Sequence, residues 1–335
     1  MDPTGRVALG RTAVEVTRFG IGTVPIAGLY APVSEAQAAA TLQRAWDLGA
    51  RLFDTAPLYG YGVAEQRLGR FVQGVPRQEV VLATKVGRVL QTDRPGDEPS
   101  HRGPVEDRQF KSGDAAEPVF DFSYDGAMRS FESSLRRLGV ERVDVVHIHD
   151  PDASYAEALG GAYRALAELR SSGVIRAVGA GMNQSAMLAR FAREADMDCF
   201  LLAGRYTLLE QGALDELLPV CLERHVSIII GGVFNSGILA DPRPGAMYNY
   251  APANAPVLER AQRIAAVCER HGVPLKAAAL QFPLAHPAVA SVLCGVRSAE
   301  EIDEDERLFR TPIPTDLWAE LKRDGLLRED APTPT

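Results

Sequence analysis

The feature that most constrains the fold is an apolar segment followed by an amphipathic one, repeated eight times between residues 19 and 309. Each apolar segment is typical of a buried strand, and the segment after it places apolar residues at helical spacing. The predicted strands cover residues 19–23, 51–55, 79–85, 143–149, 174–179, 199–202, 226–230 and 289–294. Such alternation is typical of a parallel sheet covered by helices. Eight units, with no Gly-x-Gly-x-x-Gly after the first strand, predict a (β/α)8 TIM barrel.

The segments outside this repeat are interpreted as additions to a single barrel domain spanning residues 1–335. The additions are an N-terminal hairpin at 5–18, long active-site loops at 88–122 and 235–256, an extra terminal helix at 314–325 and a frayed tail at 331–335. Residues 88–122 are rich in Pro, Gly and charge and are too long for a mere connection. They form either a disordered insertion or a lid that faces the substrate.

Composition narrows the classes of function. The net charge of −8 and pI near 5.4, with no basic stripe, argue against nucleic acid and suit a protein that handles a small molecule. The four cysteines form no Cys-x-x-Cys, so free thiols are expected, and no apolar run approaches the ~20 residues needed to cross a bilayer. With no signal peptide in view, we expect a cytoplasmic protein without membrane contact. The sequence assigns no oligomeric state.

Four residues with acid–base chemistry fall at one end of the predicted barrel. Asp54, Lys85 and His149 end three successive strands, and Tyr59 lies in the loop after the first of them. Active sites of such barrels lie at the carboxyl ends of the strands. Each residue alone has an ordinary structural explanation, as a helix cap, a surface aromatic, an ion-pair partner or a core histidine. Their joint position on consecutive strand ends favours an active site.

The same four residues supply the parts of a proton-transfer site. A tyrosine serves as general acid or base if its pKa, ~10 in isolation, is brought closer to the working pH. A lysine ammonium such as Lys85 does this by stabilising phenolate, and a carboxylate such as Asp54 holds the lysine charged. His149 can orient the substrate oxygen. No metal is expected, because the six histidines include no His-Glu-x-x-His and no carboxylates show ligand spacing.

The motifs around these residues resemble those of the aldo-keto reductase family. They are Phe53-Asp54-Thr55-Ala56, Tyr59-Gly60, Ala83-Thr84-Lys85 and Ile148-His149, and the likeness runs from about residue 5 to 325. The resemblance implies an enzyme with an Asp-Tyr-Lys-His tetrad and a nicotinamide cofactor bound without a Rossmann fold. It makes Tyr59 the proton donor or acceptor, tuned by Lys85 and Asp54. His149 matches the family histidine better than His147, because it directly precedes the turn at Asp150-Pro151.

The resemblance also implies a set of cofactor-binding residues. Asn183 is what remains of the family's Ser-Asn pair, and Ala203 stands where a Gln is usual. The loop after the seventh strand would hold the pyrophosphate, and the helix after the eighth strand would face the adenosine phosphate. The implied residues are Gly22, Thr23, Asn183, Phe234, Asn235, Ser236, Gly237, Gly295, Arg297, Ser298, Glu301 and Asp305. Carboxylates at 301 and 303–305 would repel a 2′-phosphate, so we expect NAD rather than NADP; Arg297 argues the other way.

Further runs resemble one branch of the family, the D-threo-aldose 1-dehydrogenases (also called L-fucose or galactose dehydrogenases) and the pyridoxal 4-dehydrogenases. These runs are 55–62, 149–152, 203–211 and 232–237. The branch implies NAD-dependent oxidation of a cyclic hemiacetal to a lactone, with Tyr59 as base. An aldose is the first expectation and pyridoxal the alternative, giving 4-pyridoxolactone. A general aldehyde reductase and a non-catalytic, cofactor-binding regulatory subunit remain further alternatives. The candidate substrate-binding residues are Tyr30, Tyr61, Asp150 and Arg205.

Overall fold

Eight parallel strands close into a barrel in the computed structural model, which describes residues 1–90, 110 and 118–335. The strands of the described chain are β1 (Arg6–Ala8), β2 (Glu15–Thr17), β3 (Phe19–Gly22), β4 (Leu52–Asp54), β5 (Val81–Val86), β6 (Arg88–Leu90), β7 (Pro118–Phe120), β8 (Val145–His149), β9 (Ala177–Met182), β10 (Cys199–Ala203), β11 (Ser227–Gly231), β12 (Met247–Tyr248), β13 (Ala251–Pro252) and β14 (Val289–Gly295). The barrel runs β3-β4-β5-β8-β9-β10-β11-β14 and closes from β14 back to β3. The predicted (β/α)8 barrel is confirmed.

Helices surround the barrel on its outer side. They are α1 (Glu35–Asp47), α2 (Val63–Val72), α3 (Tyr124–Leu138), α4 (Tyr155–Glu157), α5 (Tyr163–Ser171), α6 (Ser185–Glu194), α7 (Leu217–Arg224), α8 (Ala255–Arg270), α9 (Leu275–Gln281), α10 (Ala299–Arg310) and α11 (Thr315–Arg323). A π-helical turn over Ala158–Ala162 joins α4 to α5. Ser34, Ser123, Asn254 and Ser298 each accept a backbone N–H at the start of a long helix.

The alternation of side chains along each barrel strand divides the apolar residues into two clusters. On β11, Ile228 and Ile230 belong to the large core between strands and helices, whereas Ile229 faces the barrel interior. All three are buried, because a parallel strand in this fold is covered on both faces. This explains why the barrel strands appear in the sequence as continuous apolar runs.

The N-terminal hairpin lies against the barrel interior. β1 pairs antiparallel with β2, and Leu9, Val14 and Val16 are fully buried in the same cluster as interior residues of the barrel strands. The two loops predicted as long and irregular contain paired strands. β6 and β7 form a ribbon at the ends of the first loop, and β12 and β13 form one in the second. Positions 91–109 and 111–117 of the first loop lie outside the described residues.

Two features differ from the sequence-based expectation. α9 was not predicted, because its run Lys276-Ala277-Ala278-Ala279-Leu280 lacks the alternation that marks an amphipathic helix. Its residues from Ala277 to Gln281 are all buried. The second difference is at the C-terminus, where the segment predicted to fray begins with Ala331. That residue is only 1% exposed and packs in the main core, so its position is fixed by burial.

Candidate active site

Asp54, Lys85 and His149 lie together at the carboxyl ends of β4, β5 and β8, which are neighbours in the barrel. Asp54 and His149 are the last residues of their strands, and Lys85 is the penultimate residue of β5. All three are buried: Asp54 is 3% exposed, Lys85 1% and His149 6%. Tyr59 follows in the loop between β4 and α2. The topology therefore brings the four predicted residues to one point.

The contacts among them are short and specific. Lys85 Nζ donates to Asp54 Oδ2 at 2.6 Å and to the backbone oxygen of Thr55 at 2.9 Å. The same ammonium lies 4.7 Å from the centre of the Tyr59 ring. The Tyr59 ring meets the His149 ring edge-on, with 5.9 Å between centroids. Lys85 is thus held by Asp54 on one side and faces the phenol on the other.

Burial dominates the electrostatics of Tyr59. Removal from water raises the pKa of the phenol to about 12, and the nearby Lys85 ammonium opposes this rise only in part. The expectation that Lys85 brings this pKa towards neutrality is therefore not met. Burial alone would lower the pKa of Lys85, but Asp54 and Tyr59 outweigh it and the pKa is raised. At neutral pH Lys85 is therefore a cation beside a protonated phenol.

His149 is a neutral hydrogen-bonding group in this site. Burial lowers its pKa well below the usual value, and the cations Arg88 and Lys85 lower it further. Its Nε2 lies 3.6 Å from Asp150 Oδ2, and its Nδ1 has no hydrogen-bond partner among the described residues. A neutral imidazole at this position can orient an oxygen without competing for its proton.

A cavity of about 280 Å³ opens directly over these residues. Tyr59, Lys85, His149 and Asp150 belong to its polar lining, together with Arg88 and Asn183. Its other lining residues are Val24, Leu29, Leu58, Phe110, Gly181, Met182, Leu201, Ala203 and Tyr250. The volume is at the lower end of small-molecule cavities, ~300–1,000 Å³. It suits one ring with polar substituents.

A second cavity of about 240 Å³ adjoins the first and shares Asn183, Ala203 and Tyr250 with it. It runs across the ends of β10 and β11, and it is further lined by Gly204, Arg205, Gly232, Asn235, Ser236 and Asn249. Together the two cavities form one continuous crevice. Its first part holds the acid–base residues and its second part is lined by backbone and amide groups.

Unusual backbone conformations are concentrated along this crevice. Among the described residues, eight that are not glycine have a positive φ. Five of them line the two cavities, namely Asp150, Asn235, Ser236, Asn249 and Tyr250. Such conformations cost about 1–3 kcal/mol each and tend to be retained at functional sites.

Comparison with known proteins decides the family. A sequence profile described as "Aldo/keto reductase family" matches residues 18–323. The chain belongs to the aldo/keto reductase family. It is therefore an oxidoreductase that works with a nicotinamide cofactor and a small-molecule substrate.

Two relatives are similar over nearly their whole length. A pyridoxal 4-dehydrogenase from Microbacterium luteolum is 44% identical over 96% of this chain and 97% of its own. A D-threo-aldose 1-dehydrogenase from Pseudomonas sp is 40% identical over 98% of each. Among solved structures, an aldo-keto reductase from Bacillus halodurans in its holo form has a TM-score of 0.75 at 23% identity, with 96% of each chain covered. That likeness supports the fold.

The second cavity is lined by three of the residues that the resemblance implies for cofactor binding. Asn183 and Ser236 line it, as implied for cofactor binding. Asn235 also lines it, and both polar atoms of its side chain bond within the protein: Nδ2 donates to the Gly204 oxygen at 3.0 Å and Oδ1 accepts from Thr207 at 2.6 Å. We infer that Asn235 shapes the loop and that a cofactor would meet its backbone. Phe234 and Gly237 flank these residues.

The residues expected on the adenosine side fall into two groups. Ser298 caps α10 by accepting from the Glu301 N–H at 3.3 Å, and Glu301 accepts from Arg297 N at 2.9 Å and from its Nε at 3.2 Å. Gly295 is exposed beside them. Asp305, by contrast, is 5% exposed, and burial raises its pKa to about 7. Asp305 lies on the inner side of α10 and lines neither cavity, so its place in the cofactor surface stays a prediction.

Two further implied positions, Gly22 and Thr23, lie beside the tetrad without lining either cavity. Gly22 pairs with Asp54 across β3 and β4. Thr23 is fully buried, and its hydroxyl donates to the Asp54 backbone oxygen at 2.9 Å. This contact secures the strand end that carries Asp54.

The four predicted substrate residues are only partly brought together. Asp150 lines the first cavity and Arg205 the second, where Arg205 Nη1 donates to Asn249 Oδ1 at 2.8 Å. Tyr30 is half-exposed at the mouth, and the Tyr61 ring packs against Phe110 at 5.7 Å. Neither tyrosine lines a cavity.

Sequence reasoning missed Arg88, Phe110 and Tyr250, which line the first cavity. Arg88 comes three residues after Lys85, so its proximity to the strand end was a signal. Phe110 and Tyr250 lie in long loops, and only tertiary structure brings them to the barrel mouth. No helix of the described residues could span a membrane, and these residues contain no group of three or more His, Cys, Asp or Glu arranged to hold a metal ion.

Proposed function

We propose that this protein oxidises the hemiacetal carbon of a cyclic aldose to a lactone, with NAD as the hydride acceptor. The observation that carries this proposal is the similarity to two dehydrogenases named for aldose C1 and pyridoxal C4, at 40% and 44% identity over nearly the whole chain. A cyclic aldose has its C1 as a hemiacetal. The aldehyde of pyridoxal closes onto its neighbouring hydroxymethyl group to give a hemiacetal as well. One reaction type covers both.

The tetrad supplies what this reaction needs from the protein. Oxidation breaks the hemiacetal C–H and O–H bonds and forms the carbonyl of the lactone. When bound, the nicotinamide accepts the hydride from carbon. Tyr59 acts as base in its phenolate form, a minor form at neutral pH that the Lys85 ammonium stabilises. On accepting the hydroxyl proton it becomes the neutral phenol, and Lys85 then faces the negative charge that develops on the substrate oxygen. Neutral His149 donates or accepts a hydrogen bond at the same substrate oxygen and fixes its orientation.

The cavity supports an aldose as substrate. Besides the tetrad residues, Arg88, Asp150 and Asn183 line this cavity of about 280 Å³ with polar groups. A polyol needs a partner for each hydroxyl that leaves water. Pyridoxal is the second candidate, and a different observation favours it. Leu29, Phe110 and other apolar side chains form one part of the lining, which suits a planar aromatic ring.

The charge distribution at the start of α10 supports NAD over NADP. Arg297 is the cation that could bind a 2′-phosphate, and Glu301 pairs with it by accepting from its Nε at 3.2 Å. The other oxygen of Glu301 accepts from the backbone N–H of Arg297 at 2.9 Å. Of the other acids predicted here, Asp303 pairs with Arg44 and Glu304 with Lys276. Glu301 is therefore the residue that decides against a phosphate dianion in this proposal.

The test measures NADH formation with pure protein, NAD and each of L-fucose, D-arabinose and pyridoxal. Turnover of the sugars alone supports the aldose proposal, and turnover of pyridoxal alone supports the second candidate. Tyr59→Phe should lower kcat by about 10²–10⁴-fold, because the proton then has no acceptor. Tyr124→Phe is the matched control, since that exposed phenol bonds Glu168 outside both cavities. No turnover of any of the three compounds would refute the proposal.

A further inference from the structure

Arg88 and Asp150 form an ion pair inside the first cavity that the tetrad chemistry does not use. Arg88 Nη2 donates to Asp150 Oδ2 at 2.6 Å, and each side chain is less than one-fifth exposed. The Arg88 guanidinium also lies 5.1 Å from the centre of the Phe120 ring on the neighbouring strand β7. The guanidinium is thus held between an aromatic ring and a carboxylate, and both charged side chains line the cavity.

The hydrogen-bonding capacity of Arg88 is incompletely used. A guanidinium has five N–H groups. Its Nε is buried and has no hydrogen-bond partner among the described residues. A buried donor without an acceptor costs about 1–3 kcal/mol, so native proteins retain few of them. Nε itself has almost no accessible surface, so a substrate oxygen would meet the other N–H groups of the guanidinium, whose side chain lines the cavity.

The position of Asp150 relates this pair to the reacting carbon. Asp150 directly follows His149, and its Oδ2 lies 3.6 Å from His149 Nε2. In the proposed mechanism His149 orients the oxygen on the hemiacetal carbon. Asp150, which lies beside His149, and Arg88, which bonds Asp150, are therefore placed to contact a substituent close to that carbon. Asp150 holds this position with a φ of 44°, a conformation that few residues other than Gly, Asn and Asp adopt readily.

We propose that Arg88 and Asp150 together select substrates with a hydroxyl group close to the hemiacetal carbon. Arg88 donates a hydrogen bond to the oxygen of that hydroxyl, and Asp150 accepts a hydrogen bond from its O–H. This inference rests on the proposed hemiacetal oxidation. The shared chemistry is an oxygen substituent close to the reacting carbon. It is the 2-hydroxyl in an aldose and the ring 3-hydroxyl in pyridoxal. An aldehyde that lacks such an oxygen forms no hydrogen bond with Arg88 or Asp150, and it therefore reacts slowly.

The experiment compares substrate pairs that differ only in this hydroxyl. D-Arabinose and 2-deoxy-D-ribose are one pair, and pyridoxal and its 3-deoxy analogue are the other. We expect wild-type kcat/KM to be at least about 10-fold lower for the deoxy member of the pair that is the substrate. Arg88→Met and Asp150→Asn should lower kcat/KM for the hydroxylated member and leave the deoxy member nearly unchanged. Asparagine tolerates the φ of position 150, so this variant keeps the backbone.

The controls separate this inference from the proposed function. Arg193→Met removes an exposed arginine that pairs with Glu216 outside both cavities, and it should leave all four rates unchanged. The inference is overturned if Arg88→Met and Asp150→Asn lower the rates of both members equally. If wild type oxidises none of the compounds, the proposed function fails. In that case calorimetry compares the affinities of the hydroxylated and deoxy compounds for the NADH-bound protein. The inference holds if wild type binds the hydroxylated member more tightly and Arg88→Met abolishes that difference.

Discussion

Lys85 Nζ and Asp54 Oδ2 are 2.6 Å apart in a part of the barrel where neither side chain is more than 4% exposed. The second oxygen of Asp54 has no hydrogen-bond partner among the described residues. Burial raises the pKa of Asp54, and the Lys85 ammonium offsets that rise only in part. An ion pair so deeply buried contributes little net stability, because desolvation cancels much of the attraction. The pair holds the Lys85 ammonium beside the Tyr59 ring, and its desolvation lowers the free energy of unfolding.

Removing only one member of this pair should destabilise the protein strongly. Lys85→Met leaves the Asp54 carboxylate without a counter-ion, and we expect the free energy of unfolding to fall by about 3–5 kcal/mol. The double variant Asp54→Asn/Lys85→Met should lose less, since no buried charge remains. Denaturant unfolding measures both values. Arg193→Met, which breaks an exposed pair, should cost no more than about 1 kcal/mol.

The same pair predicts the sign of a pH effect. The folded pKa of Lys85 is raised above its unfolded value, so its contribution to stability is present below roughly pH 10.4 and is lost as the pH rises further. The Lys85→Met variant should lack this contribution, and the alkaline loss that remains should include that of Tyr59, whose pKa burial also raises. Equal stability of wild type and the single variant at neutral pH would contradict the role given to the pair.

Tyr59 should titrate well above an ordinary tyrosine. Burial raises its pKa to about 12 in the cofactor-free protein, and the Lys85 ammonium limits the rise. The difference in phenolate absorbance between wild type and Tyr59→Phe isolates this one phenol during an alkaline titration. In Lys85→Met the pKa should rise further, because the cation that stabilises phenolate is gone. A wild-type transition at or below pH 10 would show that Lys85 outweighs burial.

The sequence was sufficient for the barrel and for the clustering of the four candidate residues, because both depend on local order along the chain. Apolar runs covered on both faces mark each strand, and the catalytic candidates directly end those runs, as at Asp54 and His149. Parallel topology then brings the ends together without further information. Boundaries differed by a few residues, as for β9, which begins at Ala177 where residue 174 was predicted.

What the sequence could not supply depends on contacts between distant segments. Phe110 reaches the cavity from a loop, where it bridges to Leu29, and Tyr250 reaches it from the β12–β13 ribbon. The inward placement of Asp305 depends on which face of α10 meets Cys294. The acidic run in the sequence of α10 does not show which of its carboxylates lie on the buried face. The pKa of Tyr59 depends mainly on its burial, and the charged residues recognised in the sequence do not show how deeply the phenol is buried.

Glu301 should control the choice between the two nicotinamide dinucleotides. Glu301→Gln removes the charge that neutralises Arg297, so the guanidinium becomes available to a 2′-phosphate. We expect the ratio of kcat/KM with NADP to that with NAD to rise by about 10-fold, equivalent to about 1.4 kcal/mol. Glu300→Gln is the matched control, because Glu300 lies in the same first turn of α10 without a salt bridge to Arg297. An equal rise in both variants would assign the preference to overall charge.

Two glycines of β9 should respond differently to alanine. A Cβ at position 179 would overlap the Cys199 backbone oxygen and would lie 2.7 Å from His147 Cδ2, and neither neighbour can move without shifting the barrel. At position 181 the nearest atoms, Leu201 Cβ and Lys85 Cε, are both 3.6 Å away, which is ordinary contact. Gly179→Ala should therefore cost about 1–3 kcal/mol of unfolding free energy. Gly181→Ala should change it little, because its methyl group fits and the unfolded chain loses entropy. If thermal unfolding gave equal losses for the two variants, the close packing of His147 and Cys199 across residue 179 would be disproved.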